Sequence, residues 1–138
     1  MAGHERAEKA CRFRLFGSSP EMPYMSPEIH NILADLPPAL SGEDFTTIVE
    51  SDSVRIERIV SNGQATPADT WYDQERDEWV VVLTGSAELL FENTQHPQRL
   101  IAGDHALIPA GCRHRVTWTD PAQKTVWLAV HFNPAPSA

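Results

Sequence analysis

From Phe45 to Phe132 the chain is written as short apolar runs separated by turn residues. Phe45-Thr46-Thr47-Ile48-Val49 is rich in β-forming residues. Val54 and Ile56 then alternate with Arg55 and Glu57, and Ile59-Val60 shifts the phase, which predicts a bulge. Ser61-Asn62-Gly63 reads as a turn. Trp79 to Leu83 is a continuous apolar run and predicts a strand covered on both sides. After Thr84-Gly85-Ser86, Ala87, Leu89 and Phe91 share one face of the next strand. Leu100-Ile101, Ala106 to Ile108, Val116 to Thr119 and Val126 to Phe132 complete the set. Ala106-Leu107-Ile108 is too short for a helix and predicts a strand buried on both faces, with Leu107 in the core. Short strands at near-regular spacing, punctuated by Gly, Pro and Asn, predict an all-β antiparallel sandwich or barrel.

The N-terminal part has a different grammar. Ile29, Ile32, Leu33 and Leu36 fall at roughly helical spacing and Pro37-Pro38 stops the run, predicting one short helix or turn. Residues 1–25 mix charges with Gly17-Ser18-Ser19-Pro20 and read as a loosely ordered arm. One domain over 26–133 and a short tail over 134–138 follow. A length of 138 residues suits a single core. The net charge is −8; Arg6, Lys9, Arg12 and Arg14 against Glu5 and Glu8 give the first 20 residues +2, so the remainder carries −10. An acidic body of this kind argues against nucleic acid or an anionic membrane as partner. No apolar run approaches a membrane span and no secretory-type leader is read, so the cytoplasm is the expected compartment. Cys11 and Cys112 are far apart without metal-type spacing and read as two free thiols.

The candidate chemistry sits around two turns. Gly103-Asp104 and Pro109-Ala110-Gly111 bracket the strand Ala106 to Ile108, and His114 opens the next strand, giving Gly-x5-Pro-x-Gly-x2-His. This spacing resembles the second motif of the cupin superfamily. Upstream, Glu78 and Gly85 match the Glu-x6-Gly of that family's first motif. Tyr72 and Gln74 stand where its two histidines usually stand, Gly63 lies three residues too early, and Trp118 replaces a terminal Asn. The chain thus resembles a small bacterial single-domain cupin over about residues 45–132. The resemblance implies a double-stranded β-helix, or jelly-roll barrel. It also implies a homodimer and a small-molecule ligand held inside.

In metal-binding cupins three imidazoles and a carboxylate converge inside the barrel. Here the matching positions supply Glu78 and His114 as good ligands, with Gln74 and Tyr72 as poor ones. The resemblance therefore implies a degenerate site for a divalent transition metal (Mn, Fe, Ni or Zn). His105 and His131 are the two histidines that would repair the count. Cys112 lies two residues before His114, but no third group completes a nucleophilic set. Asp73, Glu75 and Asp77 read as a solvated acidic loop, and the four tryptophans as packing residues. Three functions are open. The first is a metal-dependent enzyme on a small polar substrate, with Glu78, His114 and Tyr72 as its catalytic residues. The second is a metal-free acid–base enzyme using the same residues. The third is a non-catalytic small-ligand binding module.

Overall fold

A computed structural model describes residues 26–38 and 41–135. The expected arm over residues 1–25 lies outside the described residues. Eight strands run in chain order: β1 (Asp44–Glu50), β2 (Val54–Ser61), β3 (Asp77–Thr84), β4 (Ser86–Phe91), β5 (Gln98–Ile101), β6 (His105–Ile108), β7 (His114–Thr119) and β8 (Thr125–Phe132). They form a five-stranded sheet, β1-β2-β8-β3-β6, and a three-stranded sheet, β5-β4-β7. Every pairing between these strands is antiparallel. This is the expected all-β jelly roll. Among the described residues there is no helix, and residues 32–35 make only a turn and bends. Arg58 ties that turn to the barrel by donating from Nη1 to the carbonyls of Ile32 (3.1 Å) and Ala34 (2.9 Å).

The core lies between the sheets. Val80, Val82, Ile108, Trp127 and Ala129 of the five-stranded sheet meet Ala87, Leu89 and Leu100 of the three-stranded sheet there. β3 alternates strictly: Glu78, Val80 and Val82 are buried and the residues between them are half-buried. Gly85 carries the chain from one sheet to the other with φ +85°, where a Cβ would stand 2.6 Å from Thr125 Cα. A larger residue would meet both backbone strain and a clash with main chain at that crossing.

Three local expectations are corrected. The bulge is in β1, where the register against β2 shifts between Thr47 and Val49, while β2 pairs with β8 without interruption. The phase of β2 is the reverse of its apolar pattern: Glu57 is buried, and Glu57 and Ile59 face the interior. In β6 only Ile108 is buried, and Leu107 is 60% exposed. Side chains alternate along a strand of a two-sheet barrel, and with Ile108 facing the core Leu107 faces away from it.

Candidate active site

One end of the barrel interior is polar. A cavity with about 510 Å³ of empty space, its open mouth included, lies between the sheets there. β3 brings Glu78 to it, because the residues in phase with buried Val80 and Val82 point inward. In register, Glu78 stands between Ile108 of β6 and His131 of β8. β7 brings His114 at its first residue, directly after the turn that the Pro-Ala-Gly sequence makes. Gly111 adopts φ +77° in that turn, a conformation glycine takes without strain.

The loop before β3 is fastened to the same turn. Tyr72 N donates to His114 O (2.8 Å) and His114 N donates to Tyr72 O (3.1 Å). Gly111 N donates to Gln74 O (2.8 Å), and Ala110 N donates to Asp77 Oδ1 (2.8 Å). Asp77 is therefore a structural acceptor rather than part of a merely solvated loop. Tyr72, Gln74, Glu78 and His114 all line this cavity, Glu78 from the five-stranded sheet and His114 from the three-stranded sheet, so the structure brings the four residues expected from sequence together.

Glu78 and His114 form a buried pair, at 7% and 5% exposure. His114 Nδ1 lies 3.0 Å from the Cys112 carbonyl, which can only accept, so this nitrogen carries the proton. Nε2 then faces Glu78 Oε2 at 3.4 Å. That oxygen is buried and has no hydrogen-bond partner. Burial alone would lower the His114 pKa, but the Glu78 carboxylate and the Cys112 carbonyl together outweigh it and hold it above the usual value of 6.5. The Tyr72 phenol is pushed up, first by burial and then by the charges of Glu43 and Glu78, with the Thr66 hydroxyl opposing in part.

Three further ionisable residues line the cavity: His131, one of the two histidines the sequence offered to repair the ligand count, and Glu57 and Glu43, which no sequence pattern singled out. His131, 4% exposed, places Nε2 at 2.8 Å from Glu57 Oε1 and Nδ1 at 3.1 Å from Gln74 Oε1. The His131 hydrogen bond, opposed by burial and aided by the charges of His131 and Arg55, holds Glu57 below the usual carboxylate range. Glu43 lines the cavity beside Phe45, and burial raises its pKa. His105 does not reach the cavity: it is exposed on β6 and accepts from Trp79 Nε1 at 3.3 Å. Cys112 is a half-buried free thiol that packs on the core, and its carbonyl is the part that serves the site. Trp127 lines the cavity, whereas the Trp71 and Trp118 rings lie against arginine side chains.

The donor set does not fit a tight transition-metal site. Such sites need three or four converging nitrogen, oxygen or sulfur donors. Among the described residues no group of three or more His, Cys, Asp or Glu side chains is arranged to hold an ion. Glu78 and His114 supply two donors. Gln74 is engaged by His131, whose other nitrogen is taken by Glu57, and a phenol with a raised pKa is a poor source of phenolate.

No family model matches the chain, and no curated protein matches it. Solved structures do. A candidate mannose-6-phosphate isomerase from Ralstonia eutropha JMP134 is 46% identical, covers 78% of this chain and all of its own, and superposes with a TM-score of 0.76. A cupin superfamily protein from Desulfitobacterium hafniense DCB-2 is 16% identical and covers 83% of this chain and 99% of its own, with a TM-score of 0.63. An uncharacterised conserved protein with a double-stranded β-helix domain from Klebsiella pneumoniae is 18% identical, covering 78% of this chain and 90% of its own at a TM-score of 0.64. The two motif turns fall where the β-helix needs them, and a relative 46% identical is matched over its whole length; the chain belongs to the cupin superfamily.

Proposed function

We propose that this chain is a small-molecule enzyme that works by proton transfer, with Glu78 as base and His114 as acid, and without a required metal. The observation that carries the reading is the buried Glu78 Oε2 facing His114 Nε2 at 3.4 Å across a cavity wall, with no hydrogen-bond partner of its own. An acid and a base at this separation can serve two neighbouring atoms of one substrate. The similar Ralstonia protein, named as a candidate isomerase of a hexose phosphate, favours an aldose–ketose shift as the reaction type. Glu78 would take the proton from the carbon beside a carbonyl while protonated His114 gives one to the carbonyl oxygen. From the resulting enediol, neutral His114 would take the proton of the hydroxyl on the carbon that Glu78 deprotonated, while Glu78 delivers its proton to the former carbonyl carbon; the carbonyl moves one carbon along and the pair is restored. Tyr72, kept as a neutral phenol, would orient the substrate by donating to it.

The test is deuterium uptake from heavy water at the carbon beside the carbonyl, followed by NMR with glucose, mannose, glucosamine and mannose 6-phosphate. Glu78→Gln should lower the exchange rate roughly 100-fold or more, the usual weight of a general base. Full exchange in that variant would overturn the assignment. Binding of a sugar without exchange would instead support a plain ligand-binding module.

A homodimer in a reducing cytoplasm is part of the same proposal. It is supported by Cys112 as a free thiol and by the exposed Leu107 on the outer strand β6. No helix among the described residues is long and apolar enough to cross a membrane. Light scattering that returns the mass of one chain would remove the dimer.

A further inference from the structure

The cavity's charge is one-sided. Its ionisable lining consists of Glu43, Glu57 and Glu78 against His114 and His131, apart from Tyr72. Among the described residues no lysine or arginine lines it. Even with both imidazoles protonated, the three carboxylates leave an excess of negative charge. Arg55 comes no nearer than 3.9 Å to the carboxylate of Glu57, and it does not line the cavity. No ion pair among the described residues neutralises Glu43. A phosphate ester brought here would meet carboxylates and no guanidinium or ammonium group, and it would be repelled as it lost water.

Two further features point to a ligand of the opposite sign. Glu78 Oε2 is more than nine-tenths buried, lines the cavity, and meets His114 Nε2 only at 3.4 Å, longer than a good hydrogen bond. A buried carboxylate oxygen without a close donor is costly unless a donor or a cation comes to lie against it. Phe45, Tyr72 and Trp127 also line the cavity, and aromatic faces attract cations that have shed their water. Glu43, Glu78 and Tyr72 line the same cavity.

We infer that the cavity takes a small organic cation, an ammonium-bearing molecule such as an amino sugar or amino alcohol, and excludes phosphorylated sugars. The ammonium group would sit between Glu43 and Glu78 against the aromatic wall. The inference rests on the proposed role of this cavity as the ligand site, and it separates this chain from the hexose phosphate for which its Ralstonia relative is named.

Isothermal titration at fixed ionic strength with choline, glucose and glucose 6-phosphate tests it, because choline keeps its charge at every pH. Choline should bind, glucose should bind more weakly, and glucose 6-phosphate should give no heat. Choline affinity should fall as salt is raised. Glu43→Gln should weaken choline about tenfold or more and glucose by much less, as expected for removal of one partner of a desolvated charge contact. Glucose 6-phosphate binding as tightly as choline would overturn the inference, as would failure of choline to bind the wild-type protein. An unchanged choline affinity in Glu43→Gln would overturn it too. Deuterium exchange on a neutral sugar in the same preparation separates the two claims. Exchange without choline binding overturns the charge preference alone. Choline binding without exchange on any of the sugars overturns the proton-transfer reading alone.

Discussion

Replacing His131 by leucine should destabilise the protein by about 2–4 kcal/mol. The imidazole joins three parts of the molecule: β8, which carries it, β2 through Glu57, and the loop before β3 through Gln74. The bond to Glu57 is short, at 2.8 Å, and involves a carboxylate. Bonds to charged groups contribute about 1.5–3 kcal/mol and neutral ones about 0.5–1.5 kcal/mol. Leucine fills much of the ring's volume, so the cavity contribution is small, whereas Glu57 is left buried without its donor. Arg55 cannot replace the lost donor, since it lies 3.9 Å away and its side chain is 41% exposed. With an m-value of about 2 kcal/mol/M, the urea midpoint should fall by about 1–2 M at neutral pH.

The loss should also depend on pH in one direction. The folded protein holds Glu57 below its ordinary value of 4.5. Its contribution is therefore complete above that value and is lost as pH falls through the lower folded pKa. The gap between wild type and His131→Leu should narrow below about pH 4.5. A midpoint change under about 0.2 M at pH 7, or a gap that widens toward acid, would refute the network.

The remaining predictions concern the Glu78–His114 pair and the outer surface. At protein concentrations low enough to leave single chains, Leu107→Ala should change stability by no more than about 0.5 kcal/mol in the same urea assay, because a side chain 60% exposed loses little packing. His114 should titrate above the usual imidazole value by NMR, and Glu78→Gln should bring it down, since burial then acts with less opposition. The stability that His114 contributes is complete below about pH 6.5 and is lost as pH rises through the raised folded value. His114→Gln should accordingly differ most from wild type in mildly acidic solution, as read by thermal melts across pH.

The strands were legible because turns and apolar runs carry local information. Gly85, Gly103 and Gly111 all adopt positive φ at predicted turns, and the eight strands fall within a few residues of their apolar runs. His114 was legible because a proline and a glycine at fixed distance fix the start of β7. Glu57 was not, and the reason is physical. In β2 the usual sign of alternation is reversed at the polar end of the barrel, where the Glu57 carboxylate points inward and is satisfied by His131 on β8. Only the β2–β8 pairing, which is non-local, reveals that Glu57 meets His131. Leu107 misled in the converse way, since an apolar residue on an outer strand looks like core when its neighbours alone are read. Asp77 looked solvated because its acceptor role depends on Ala110, 33 residues away. Glu43 precedes β1 by one residue and offered no pattern at all.

The most direct measurement is deuterium exchange on an active sugar after the protein has been stripped with chelator, its metal content being checked by elemental analysis. If Glu78 and His114 act as an acid–base pair, the stripped protein keeps its exchange rate and Glu78→Gln loses about 100-fold. Exchange that vanishes on stripping and returns with Mn, Fe, Ni or Zn would contradict the metal-free pair and place the chemistry on a bound ion instead.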